Sequence, residues 1–198
     1  MGQNENFFFN MNEANPVLKA IMNRRFDKLI SNHAVSRSLI EILLDSGMRI
    51  TTSQKTVPWS YVVIQDEDYL RYLRECATVF DQIDSYVDKQ IHEEHEIQLD
   101  HQTSTELIVM YANTDLPFSL SDCWQSIENI LLASSALGLS VSLDCSLLKV
   151  LNSIKIKNEL RVPEDLSVMY TIYLGAHNNS YLPSIIQKPT IWSWISKC

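Results

Sequence analysis

Residues 120–137 read LSDCWQSIENILLASSAL, and this stretch has the clearest helical pattern of the chain. Its apolar and small side chains recur every three or four positions, which places them on one side of an α-helix. They are Leu120, Cys123, Trp124, Ile127, Ile130, Leu131, Ser134 and Leu137. We expect this helix to be central to the fold, with Trp124 in the core or at an interface between subunits.

The rest of the chain predicts strands that alternate with helices. The predicted strands are rich in β-branched and aromatic residues and cover residues 59–64, 107–112, 141–143 and 168–174. Helical spacing recurs over residues 17–25, 36–47, 66–80 and 146–160. The alternation predicts one domain over residues 15–198, preceded by an N-terminal extension over residues 1–14.

The second of these helices has two candidate capping residues. It is predicted to begin near Ser36 or Ser38, because a serine at this position accepts a backbone hydrogen bond. Glu41 follows Ser38 at the spacing of a capping box. Gly47 is expected to end the helix.

Composition limits the class of protein. The 198 residues have a formal net charge of −8 and a pI of about 5.0, which argues against a nucleic-acid-binding face. The most apolar stretch is too short to cross a bilayer, and the N-terminus lacks the basic region of a signal peptide, so we expect a cytoplasmic protein. The scattered cysteines, Cys76, Cys123, Cys145 and Cys198, are expected to be reduced.

Residues 81–104 are polar and charge-dense, without sustained apolar periodicity. We expect a mobile excursion that acts as a lid over a substrate site. Its histidines, His92, His95 and His101, stand among carboxylates, an arrangement compatible with a divalent metal ion. The pattern is not HExxH and no cysteine accompanies it, so a solvated face is the simpler interpretation and no metal site is predicted.

A cluster of positive charge, Arg24, Arg25 and Lys28, follows the first helix. The chain has four glycines and neither a GxGxxG nor a Walker motif, so a phosphate would have to be held by side chains. Arg24 and Lys28 are four positions apart, which allows the three side chains to converge on one anion. The alternative is that they only cap the helix, because cations stabilise a helix C-terminus.

Six short motifs stand in a fixed order along the chain. They are AIMNRR at 20–25, PWSYVV at 58–63, ENILLA at 128–133, LGL at 137–139, LRVPED at 160–165 and LG at 174–175. In this order they resemble the nitroreductase family of FMN-dependent oxidoreductases. The resemblance implies an α+β fold with a central, mainly antiparallel sheet between helices, assembled as an intertwined homodimer with FMN at the interface.

The resemblance also implies roles for the basic residues. Arg24 and Arg25 match the arginine pair that contacts the FMN phosphate and ribityl chain, and Lys28 matches a basic position near the pyrimidine edge of the flavin. Lys188 falls where a C-terminal basic residue closes on the phosphate. The segment 189–198 is expected to be an arm that embraces the partner subunit.

The loop over residues 51–58 matches the loop that reaches the flavin ring from the other subunit. Its candidate cofactor-binding residues are Thr52, Ser53 and Lys55. Chemistry in such enzymes belongs to flavin N5, so no residue is predicted to be catalytic. The implied reaction carries electrons from NADH or NADPH to a quinone, a nitro compound or a similar small acceptor.

The chain departs from the family pattern at several positions. Phe26 replaces a serine, Lys55 an asparagine and Val57 a glutamine, and residues 140–145 lack the usual glycines. Two alternatives therefore stay open. One is a flavin-binding, regulatory or partner subunit without efficient redox activity, and the other is a flavin-dependent oxidase or dehydrogenase of a small metabolite.

Overall fold

The computed structural model describes residues 15–24, 30, 33–52, 57–87, 104 and 106–176. The helices in these ranges are α1 Pro16–Asn23, α2 Arg37–Gly47, α3 Glu67–Val87, α4 Ser119–Ala136, α5 Leu148–Leu151 and α6 Ile154–Leu160. The strands are β1 Trp59–Ile64, β2 Glu106–Ala112, β3 Leu139–Asp144 and β4 Ser167–Ala176. Each predicted helix and strand within the described residues is therefore present.

The four strands form one antiparallel sheet in the order β1-β2-β4-β3. Every residue of the inner strand β2 is buried. Successive side chains of a strand point to opposite faces, so β2 supplies two cores at once. The α+β class with a central antiparallel sheet is confirmed.

The two cores divide along β2. Leu107, Val109 and Tyr111 pack in one cluster with buried residues of α3, α5 and α6. Ile108 and Met110 pack in the other with buried residues of α2 and α4. The sheet therefore separates an α3/α5/α6 side from an α2/α4 side.

Helix α4 is central on its side, but its buried stripe differs from the apolar stripe of the sequence. Cys123, Ile127 and Ile130 are fully buried, whereas Trp124 is 45% exposed. Trp124 packs instead on Tyr170, with 4.4 Å between ring centroids. Trp124 is thus not a core residue of the single chain, and its place at an interface between subunits stays a prediction.

Two sequence expectations about helix ends need correction. Ser36, and not Ser38, caps α2, and the Ser38–Glu41 capping box does not form. Glu41 instead accepts a hydrogen bond from Arg37 Nε at 2.9 Å, one turn away on the exposed face. Helix α3 does not end near residue 81 but runs to Val87.

The predicted helix over residues 146–160 is two helices. Ser153 interrupts it by capping α6, with Oγ accepting from Ile156 N at 3.4 Å. Among the described residues, no helix is long and apolar enough to cross a membrane.

Gly47 lies where α2 packs on the sheet and on α4. A Cβ at this position would lie 2.6 Å from Tyr61 Oη and 2.9 Å from two carbons of Ile130. We expect Gly47→Ala to lower the free energy of unfolding by about 1–2 kcal/mol, because overpacking outweighs the gain in helix propensity. Denaturant titration measures this. Ser38→Ala, on the exposed side of the same helix, should change it by less than about 0.5 kcal/mol; a Gly47→Ala protein more stable than the wild type would contradict the packing.

Candidate functional site

Arg24 stands at the point where the chain leaves α1. Asn15 caps the start of this helix, with Oδ1 accepting from Val17 N at 2.9 Å. The helix ends at Asn23, and the backbone of Arg24 is already extended (φ −58°, ψ 128°). Its side chain therefore does not follow the direction of the α1 side chains and extends to α4.

On α4 the Arg24 guanidinium meets Glu128. Arg24 Nε and Glu128 Oε1 are 3.0 Å apart, and the side chains are 30% and 48% exposed. A pair this exposed adds little stability, on the order of 0–1 kcal/mol. Its main effect is to orient the guanidinium, whose several N–H donors suit an anion.

Thr52 is the second predicted site residue that the structure describes. Its hydroxyl donates to Asp122 Oδ2 at 2.6 Å, in the first turn of α4. Asn129 Nδ2 donates to Arg49 O at 3.0 Å, so the same loop is tied to α4 at a second point. Loop 49–52 is thereby fixed against α4 just before the segment 53–56.

Helix α4 therefore gathers predicted site residues from two separate parts of the chain. Asp122 and Glu128, which hold Thr52 and Arg24, are six positions apart, or about 9 Å along the helix axis. Asp122 is not among the site residues that the sequence predicts, and Glu128 belongs to the motif ENILLA without a predicted role. A usable signal existed, because polar residues Ser119, Asp122 and Ser126 recur at helical spacing and are buried.

Several predicted residues lie outside the described part of the chain. They are Arg25, Phe26, Lys28, Ser53, Lys55, Lys188, the histidines His92, His95 and His101, and the arm 189–198. Val57 is described and exposed. Within the described residues, no group of three or more His, Cys, Asp or Glu side chains is arranged to hold a metal ion.

The glycine-poor segment 140–145 forms most of strand β3. Ser140 pairs with Gly175 and Ser142 with Tyr173 of β4, and both serines are buried. Residues 140–144 are extended, and an extended backbone does not require glycine. A positive φ, which favours glycine, occurs just before the strand at Gly138 (φ 69°). Cys145, directly after the strand, is exposed.

A hydroxyl network lies under α4 on the sheet side. Trp59 Nε1 donates to Tyr61 Oη at 3.0 Å, and Tyr61 Oη is hydrogen-bonded to Ser126 Oγ. Burial raises the pKa of Tyr61, although both hydrogen bonds act in the opposite direction. The phenol therefore stays neutral at physiological pH and serves to hold β1 against α4.

Solved structures share this fold. A Bacteroides fragilis nitroreductase with bound FMN aligns over 93% of this chain and 100% of its own, with a TM-score of 0.73 and 16% identity. A Desulfitobacterium hafniense nitroreductase with bound FMN aligns over 92% and 100%, with a TM-score of 0.76 and 16% identity. At these identities the likeness concerns the fold, which is that of the nitroreductases.

The sequence comparison identifies the family. The profile of the nitroreductase family matches residues 21–176, and the chain therefore belongs to this family of oxidoreductases. A protein of Archaeoglobus fulgidus that carries the name NADH dehydrogenase/NAD(P)H nitroreductase is 26% identical over 164 residues, or 80% of this chain and 83% of its own. The family resemblance recognised in the sequence motifs is confirmed.

The environments of the thiols predict different reactivities. Burial, with a smaller contribution from Asp122, raises the pKa of Cys123 to about 11, so at pH 8 only about one molecule in a thousand carries the thiolate there. Cys145 also has a raised pKa, through burial and Asp144, but it is exposed. With Ellman's reagent at pH 8, Cys145→Ser should remove a reactive thiol from the folded protein. Cys123→Ser should remove none, and loss of a fast thiol in that variant would contradict the burial of Cys123.

Proposed function

We propose that this chain binds FMN and carries electrons from NADH or NADPH to a quinone, a nitro compound or a similar small acceptor. One observation carries the proposal. Arg24, at the end of α1, and Thr52, in the loop before β1, each contact a carboxylate of α4. The two similar solved nitroreductases contain bound FMN. The name of the Archaeoglobus relative includes NADH and NAD(P)H, and for this reason we propose a nicotinamide as the electron donor.

The groups described at α4 suit FMN. Arg24 offers a partly exposed guanidinium for a phosphate. Thr52 gives its hydroxyl proton to Asp122, so toward the cofactor its oxygen acts as an acceptor. We infer that Arg25 and Lys188 join Arg24 at the phosphate, that Lys28 lies by the flavin ring, and that Ser53 and Lys55 line the ring from the loop. When bound, FMN accepts a hydride at N5 and returns electrons to a second substrate. The residues position it and supply positive charge at its pyrimidine edge.

A second candidate is a subunit that binds flavin without efficient turnover. The observation that favours it is the regular pairing of β3 with β4, where the family pattern has a glycine-rich segment. A Cβ on each residue of the strand limits how closely backbone approaches a flavin face.

Flavin reconstitution separates these functions. The protein mixed with FMN and desalted should be yellow, and anaerobic NADH or NADPH should bleach its absorbance near 450 nm, a region typical of oxidised flavin. Bound flavin that neither nicotinamide reduces would favour the second candidate or a flavin-dependent oxidase. A protein that stays colourless would contradict FMN binding altogether.

The phosphate role of Arg24 is tested in the same assay. Arg24→Ala should weaken FMN binding by about 10–100-fold, as expected for losing hydrogen bonds between charged groups. Riboflavin, which lacks the phosphate, should bind both proteins alike. Arg37→Ala is the matched control, since Arg37 also pairs with a glutamate on a helix but lies elsewhere on the surface. An equal loss for riboflavin would contradict phosphate recognition by Arg24.

We also propose a cytoplasmic homodimer. All four apolar residues of α1's stripe are exposed in the single chain: Val17 64%, Leu18 39%, Ile21 51% and Met22 49%. Leu120 and Trp124 on the neighbouring helix α4 are 55% and 45% exposed. Large apolar side chains exposed on two helices that contact each other are typical of a protein interface.

Ile21→Glu should convert the dimer to a monomer and release flavin, because a charge buried without a partner opposes association. Light scattering coupled to size-exclusion chromatography measures the mass. Ile154→Glu is the control, because Ile154 is 64% exposed but lies on α6, on the other side of the sheet. If both variants remain dimers, the interface lies elsewhere.

A further inference from the structure

Asp122 is a carboxylate in the buried part of α4. It is only 4% exposed, although a carboxylate is rarely buried without a specific partner. Its Oδ2 accepts the Thr52 hydroxyl at 2.6 Å, a distance typical of a hydrogen bond to a charged acceptor. The buried carboxylate therefore has a defined partner in loop 49–52.

The position of Asp122 in α4 favours its negative charge. It lies in the first turn, where unpaired backbone N–H groups and the helix dipole stabilise an anion. Phe118, the preceding N-cap residue, supplies no side-chain cap to this helix. The helix thus holds the carboxylate in place, and the carboxylate in turn holds Thr52.

The contact fixes where the loop departs from α4. Asn129 fixes the loop at Arg49 O, and Asp122 fixes it three residues later at Thr52. Loop 49–52 is therefore held against α4 at both of its ends, at one of them by Asp122.

We propose that Asp122 is a positioning residue for flavin binding, acting through Thr52, the residue of loop 49–52 that it holds against α4. This inference rests on the proposed function. The carboxylate orients the Thr52 hydroxyl by accepting its proton, so toward the cofactor the Thr52 oxygen acts as an acceptor. A Thr52 side chain that is held in advance binds flavin without a further loss of conformational freedom.

A double-mutant cycle tests the proposal on the full-length protein. Asp122→Ala, which removes the acceptor, Thr52→Val and the double variant are compared for FMN dissociation constant, circular dichroism of the bound flavin and melting temperature without flavin. We expect each single change to weaken FMN binding about tenfold, and the double change to weaken it no further, as for residues that act as a unit. Thr52→Ser, which keeps the hydroxyl, should restore the affinity and the dichroism.

Tyr111→Phe is the control for stability alone. It removes the buried hydrogen bond from Tyr111 Oη to Leu151 O at 3.0 Å, on the α3/α5/α6 side of the sheet. It should lower the melting temperature as the site variants do while leaving FMN affinity and dichroism unchanged. If Asp122→Ala lowers only the melting temperature, or if the effects of the two single changes simply add, Asp122 does not position Thr52 for flavin binding. Absence of FMN binding by the wild type is a different outcome, because it contradicts the proposed function itself.

Discussion

The fold depends on the burial of β2 on both of its faces. Each fully buried aliphatic side chain contributes about 1.5–3 kcal/mol relative to an exposed one, and β2 places consecutive ones in opposite cores. β1 and β4 flank it by antiparallel pairing, so their registers follow from its position. Helices can then pack on each face of the sheet because β2 presents apolar surface to both.

Helix α4 turns this scaffold into a site. Its buried residues lock it to the sheet, while its polar residues take hold of segments that arrive from elsewhere in the chain. Arg24 comes from the end of α1 and Thr52 from the loop before β1, and each meets a carboxylate of α4. A rigid element with polar side chains at defined intervals holds separate loops at fixed relative positions.

Local sequence patterns were sufficient for the strands and for most helices. All residues of the run 59–64 except Ser60 are β-branched or aromatic, and the bounds of the strand in the structure are those of the pattern. The cap of α2 was harder, because Ser36 and Ser38 both satisfy the local rule and the backbone decides between them. The partners of Arg24 and Thr52 lie 104 and 70 positions away along the chain, which local spacing does not reveal. The exposure of Trp124 likewise depends on how α4 is rotated against the sheet.

The sheet also acts as a partition between two kinds of constraint. The contacts described for Arg24 and Thr52 fall on the α2/α4 side, whereas the hydrogen bond of Tyr111 and the packing of α5 and α6 fall on the other. Substitutions in the α3/α5/α6 core can change how firmly the domain holds together while the site's geometry is preserved. In evolution or engineering, stabilising substitutions in the α3/α5/α6 core can therefore offset the loss of stability that substitutions beside the cofactor cause.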